Sequence, residues 1–108
     1  MNKTIETINF DASPELVTQI DEMFNDLPRF HDQINSADIY LKRHNEKATE
    51  EYEVQVRVFL PGHEVYTEAN GESVNDAAKR VMSKAKRQLR DLKDLDKNKR
   101  QPRYDKNL

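Results

Sequence analysis

Cationic side chains at helical spacing are the residues most able to do chemistry in this chain. Lys79, Arg80, Lys84, Lys86, Arg87 and Arg90 fall within twelve positions. At 100° per residue Lys79, Arg80, Lys86, Arg87 and Arg90 occupy the side of a helix opposite its apolar stripe, with Lys84 and Lys93 at the flanks. Lys97, Lys99, Arg100, Arg103 and Lys106 carry the charge onward. Guanidinium and ammonium groups at this spacing reach successive phosphates of a nucleic-acid backbone. A rigid basic helix with a basic arm suits a structured RNA read by shape. The plainer alternative is a solvated lysine-rich face, and charge alone gives the two equal weight.

Other reactive groups do not assemble. His31, His44 and His63 are scattered, with no second histidine at helical spacing, and read as surface residues near loops. No metal site is expected. Cysteine is absent, which excludes a thiolate ligand, a cysteine nucleophile and a disulfide scaffold. The serines lack a nucleophile-elbow context. Two glycines, at 62 and 71, are too few for a phosphate-cradling loop. The expectation is a binding protein, not an enzyme, with no cofactor and no small-molecule substrate.

Charge is unevenly laid out. The 108 residues carry 18 basic and 20 acidic side chains, a net of -2. Residues 1–72 hold 6 basic and 15 acidic residues, a net of -9; residues 73–108 hold 12 and 5, a net of +7. Such a dipolar chain binds a polyanion through one end. Hydrophobic residues make up 35%, enough for one small core. No apolar run reaches the ~20 residues that span a bilayer, and the start lacks a signal-peptide core. A cytoplasmic protein is expected.

The elements that must hold the basic helix follow from periodicity. Thr4 to Phe10 reads as a strand with Ile8 and Phe10 inward. Ser13 caps a helix over about 14–27, with Pro14 at its first turn and Pro28 as its stop. Ser36 to Arg43 alternates, with Ala37, Ile39 and Leu41 on one side. His44 to Glu51 reads as a loop. Tyr52, Val54, Val56, Val58 and Leu60 share one strand face. Pro61-Gly62 turns the chain into a strand over Glu64 to Ala69, with Val65, Thr67 and Ala69 inward. Asn70-Gly71 breaks it. Ser73 caps a second helix over about 73–95, with Asp76 completing a capping box. Residues 96–108 read as a disordered basic tail beyond a single domain over 1–95.

The order is β-α-β-β-β-α. A helix between the first two strands favours a parallel pair, and two hairpins make the rest antiparallel. The fold class is α+β: a two-layer sandwich, a four-stranded mixed sheet with both helices on one face. Tyr40, Phe59 and Tyr66 then lie on the open sheet face. They read first as cross-strand pairs, and otherwise as a stacking or protein-contact platform.

The chain resembles the ribosome hibernation-promoting factors and ribosome-associated inhibitors. That family is also described as ribosomal subunit interface or sigma-54 modulation proteins. The resemblance covers roughly residues 5–95. It rests on Arg29-Phe30, Asp32, Ile34-Asn35, Leu41-Lys42, Lys84, Arg87-Gln88-Leu89-Arg90 and the element order. It implies a double-stranded-RNA-binding-like sandwich. The implied partner is the small ribosomal subunit and its 16S rRNA, bound in the messenger- and transfer-RNA channel, with ribosomal proteins as further contacts. Translation would be blocked, and idle ribosomes stabilised, in stress or stationary phase. By position Lys84, Arg87 and Arg90 match the family's RNA-facing residues, and Arg29 and Lys42 match its other basic positions. Two departures stand out. The first helix carries Glu15, Asp21, Glu22 and Asp26 where many relatives place lysines, and Asn75 replaces a frequent aromatic. By its length the chain is expected to be the short form, without a C-terminal dimerisation domain. The alternative function is a protein-interaction module regulating a transcription factor.

Overall fold

The computed structural model describes residues 1–44 and 51–100, with side chains described through Leu95. Strand β1 (Asn2–Ile8) is followed by helix α1 (Pro14–Phe24), a short 3-10 helix (Leu27–Arg29), β2 (Ser36–Arg43), β3 (Tyr52–Leu60), β4 (His63–Gly71) and α2 (Val74–Arg100). The strands form one sheet in the order β1-β2-β3-β4. β1 runs parallel to β2, and β2–β3 and β3–β4 are antiparallel. This is the expected α+β sandwich with a β-α-β-β-β-α order.

One sheet face makes the core. Ala37, Ile39, Leu41, Val54, Val56 and Val58 are fully buried, and so are Ile20 and Phe24 of α1 and Val81, Ala85 and Leu89 of α2. Both helices cover this face. Lys3, on the same side of β1, reaches Asn25 and Asp21 at the end of α1.

Four elements differ from the sequence expectation at one or both ends. β1 starts earlier and stops at Ile8, and its inward residue is Ile5, paired with Ile39, while Ile8 pairs with Lys42 on the open side. Asn9 at φ 70° ends the strand, a left-handed conformation that asparagine tolerates. Phe10 returns to the core outside the ladder, edge-on to Tyr52 with centroids 5.9 Å apart. Helix α1 ends at Phe24, not at 27. Pro28 has no N–H to bond the Phe24 carbonyl, and its ring crowds that group. Pro28 instead lies within the 3-10 helix, whose Leu27 is fully buried.

β4 continues through Asn70 to Gly71 instead of breaking there. A Cβ on Gly71 would lie 2.6 Å from the Ala77 backbone nitrogen, so this glycine permits close seating of α2 rather than a turn. Gly62, at φ +74°, does serve the Pro61-Gly62 turn. Finally, α2 extends to Arg100, five residues beyond the expected end. Most of the expected loop, 45–50, and residues 101–108 lie outside the described residues.

Candidate nucleic-acid interface

Helix α2 is built to show one face. Ser73 accepts the Asp76 N–H through its Oγ at 3.1 Å and the Ala77 N–H through its carbonyl. Two N-terminal donors are thereby satisfied. Val74, Ala77, Ala78, Val81, Ala85 and Leu89 are buried against the sheet. The buried stripe fixes the rotation of the helix. Lys79, Arg80, Ser83, Lys84, Lys86, Arg87 and Arg90 are consequently all exposed.

The cations divide into two rows along the helix. On the β4 side, Arg80 donates to the Asn70 carbonyl at 2.7 Å and Lys84 to the Glu68 carbonyl at 2.8 Å. They border a shallow depression of about 560 Å³ with Ser83, Glu68, Ala69 and Asn70. β4 is an edge strand, so these bonds also occupy acceptors that would otherwise invite another strand. On the opposite side, Lys86 and Arg90 each lie 5.6 Å from the centre of the Phe30 ring. A second depression of about 370 Å³ is lined by Ser83, Lys86, Arg87, Arg90 and Asp91. Ser83 lines both depressions, so it stands between the two rows.

The remaining basic candidates are placed differently. Arg29 directly precedes Phe30 at the end of the 3-10 helix. Its side chain is 76% exposed and lies only 3.9 Å from Asp26, a weak surface contact. Its neighbour Phe30, not Arg29 itself, makes the contacts with Lys86 and Arg90. Lys42 is not brought to this cluster. It lies half-buried on the open sheet face, between Ile8 and Glu53, with the sheet separating it from α2.

The open face has its own chemistry. Glu53 is 9% exposed, although sequence alternation places it among solvated residues. Its Oε1 meets His44 Nε2 at 2.9 Å, and its Oε2 accepts from Gln55 at 3.0 Å. Burial pushes its carboxyl up. Hydrogen bonds from Gln55 and His44, with the Lys42 charge, outweigh burial and hold it below the usual carboxylate range. Tyr66 is 42% exposed, donates to Glu68 at 2.7 Å and has Arg57 5.3 Å over its ring. Burial, then the bond to Glu68, pushes its phenol up to about 12. Tyr40 faces Gln55, Phe59 lies between Ser36 and Glu64, and Tyr66 faces Arg57. The three aromatics pair with polar neighbours, not with one another.

Two site features were missed by sequence reasoning. Phe30 gathers cations from α2, and its only local signal is an apolar residue three positions after Leu27, outside the helical stripe. His31 is buried, 3% exposed, not a surface residue. Its Nδ1 accepts the Gln33 N–H at 3.0 Å. Among the described residues no group of three or more His, Cys, Asp or Glu side chains could hold a metal ion.

Comparison with known proteins extends this picture. The Thermus thermophilus Protein Y N-terminal domain superposes with a TM-score of 0.71 at 19% identity, covering 85% of this chain and 99% of that one. A ribosomal subunit interface protein from Coxiella burnetii superposes with a TM-score of 0.72 at 22% identity, covering 86% and 98%. At these identities the likeness is one of fold. No curated protein matches the sequence. The profile of the family described as Sigma 54 modulation protein / S30EA ribosomal protein matches residues 4–97. A match over most of the chain, on the fold and basic helix described above, makes the protein a member of that ribosome-associated family.

Proposed function

We propose that this protein binds the small ribosomal subunit through the outer face of α2 and blocks translation by occupying the messenger- and transfer-RNA channel. The observation that carries the reading is the exposed row Lys79, Lys86, Arg87 and Arg90, flanked by Arg80 and Lys84, on a member of this family. The partner is 16S rRNA, contacted at its phosphates, with ribosomal proteins at the margin. The mechanism is steric, in the cytoplasm: idle ribosomes are held in stress or stationary phase, and no bond is made or broken. Residues 1–95 carry the binding, and the sequence from 96 onward is basic as well. Arg29 joins the α2 surface. Lys42 takes part only if RNA also reaches the open sheet face.

The test is sucrose-gradient sedimentation of the protein with bacterial ribosomes. Wild type is expected to travel with the small subunit. The R87E/R90E variant should keep its circular-dichroism spectrum and stay at the top. Co-sedimentation of R87E/R90E at both low and physiological salt would overturn the assignment to α2. A second reading draws on the family's description as sigma 54 modulation proteins, on the acidic first helix with Glu15, Asp21 and Glu22, and on the aromatics of the open sheet face. There the partner is a transcription-factor protein, and its capture survives ribonuclease treatment, whereas capture of ribosomal subunits does not.

A further inference from the structure

Lys86 and Arg90 are one helical turn apart, and both are cations. On an exposed helix such a pair repels and spreads into solvent. Here both turn toward one ring, with Lys86 Nζ and Arg90 Cζ each 5.6 Å from the Phe30 centroid. The ring itself is held in place. Its backbone N–H bonds the Leu27 carbonyl at 3.0 Å, Leu27 is fully buried, and the Phe30 side chain packs on the core. The 3-10 helix thus fixes an aromatic beside α2, and the ring's negative π-density holds two flexible side chains.

From this we infer that Phe30 is a positioning residue for RNA binding, setting Lys86 and Arg90 as a fixed pair for adjacent phosphates of a nucleic-acid backbone. The inference rests on the reading of α2 as the ribosome-binding face. A guanidinium over a ring uses its planar face and keeps its edge N–H donors for an oxyanion. An ammonium likewise keeps donors pointing away from the ring. The depression beside the pair, about 370 Å³ and lined by Ser83, Lys86, Arg87, Arg90 and Asp91, is where a phosphate would meet them. Arg87 supplies a third cation and Ser83 a neutral donor. Asp91 disfavours an anion at its own end, which places the phosphate toward Ser83. Phe30 is engaged by the cations, so it acts through them and not as a stacking surface for bases.

Ordering two long cationic side chains in advance removes their ordering cost from binding, worth about tenfold in affinity. The experiment compares wild type, F30L, F30W and R87E/R90E for binding to purified bacterial small subunits at several salt concentrations. F30L keeps an apolar side chain on the core and removes the π-face. It should lose about tenfold in affinity with an unchanged salt slope, because the number of cations is unchanged. F30W should restore binding, and proton NMR of wild type should show upfield ring-current shifts on the Lys86 and Arg90 side chains that vanish in F30L. If wild type binds, R87E/R90E does not, and F30L binds like wild type, the positioning role is overturned while the ribosome reading stands. Loss in F30L without recovery in F30W also overturns it, leaving Phe30 a packing residue. If wild type does not bind small subunits, the ribosome reading fails and this inference fails with it.

Discussion

The outer face of α2 and the open face of the sheet are both rich in charge, yet they treat it in opposite ways. On the sheet, cross-strand neighbours about 5 Å apart put charges beside partners of opposite sign or hydrogen-bonding groups. Arg57 reaches Glu64 at 3.0 Å and covers Tyr66. Glu53 is surrounded by His44, Gln55 and Lys42. On α2 the orienting contacts of three cations are with neutral groups: a backbone carbonyl for Lys84 and a phenyl ring for Lys86 and Arg90. A carbonyl or a ring orients a cation without cancelling its charge. Arg57 and Glu53 of the sheet are thus held by opposite charge or hydrogen bonds, whereas Lys84, Lys86 and Arg90 of α2 are ordered by groups that carry no charge. That difference separates a stabilising surface from a binding one more sharply than the count of basic residues does.

The largest effect that tests this contrast is salt dependence. If about six phosphates are neutralised by α2, affinity for the small subunit should fall about a thousandfold between 50 and 200 mM salt. A fall of only a few-fold, measured by titration at fixed temperature, would mean that α2 does not supply the binding charge. The next effect concerns how α2 is seated. Gly71→Ala forces a methyl group to within 2.6 Å of the Ala77 nitrogen, and backbone cannot give way cheaply. The expected cost is about 1–3 kcal/mol. For a domain of this size that lowers the melting temperature by several degrees per kcal/mol. Since α2 carries the cations, binding should weaken only as far as the folded fraction falls. A melting temperature equal to wild type would show that the helix can lift off β4 without penalty.

The sequence made much of this legible, for identifiable reasons. Ser36–Arg43 and Tyr52–Leu60 are recovered to the residue, because strict alternation leaves only one face apolar. The inner stripe of α2 is legible from its period, so the exposed cations are too. The parts that were not legible depend on the third dimension. Alternation around Ile8 and Phe10 suggested the wrong face for β1, because Asn9 reverses the parity that a continuous strand would keep. Asn70-Gly71 resembles a break, but Gly71 is small to admit α2. Lys42 shares a sequence character with the α2 cations and lies on the other side of the sheet. Phe30 has no periodic partner, and its role exists only because the 3-10 helix and α2 meet.

The smallest effect on binding is expected from Glu53, and it tests the sheet face directly. Glu53 lies across the sheet from the outer surface of α2. A sheet and a helix of about 10 Å diameter separate them, more than one screening length at physiological salt, about 8 Å. Glu53→Gln should therefore change affinity for the small subunit less than twofold. Its consequence belongs to folding. The folded-state pKa of Glu53 is lowered from its ordinary 4.5, so the folded protein binds that proton less readily than the unfolded chain. The stabilisation is complete above about pH 4.5 and is lost as the pH falls through the lower folded value. Urea midpoints at pH 7 and pH 3 should thus converge in Glu53→Gln relative to wild type. A change in affinity of tenfold, with an unaltered pH profile of stability, would instead make the open sheet face part of the interface and bring Lys42 into it.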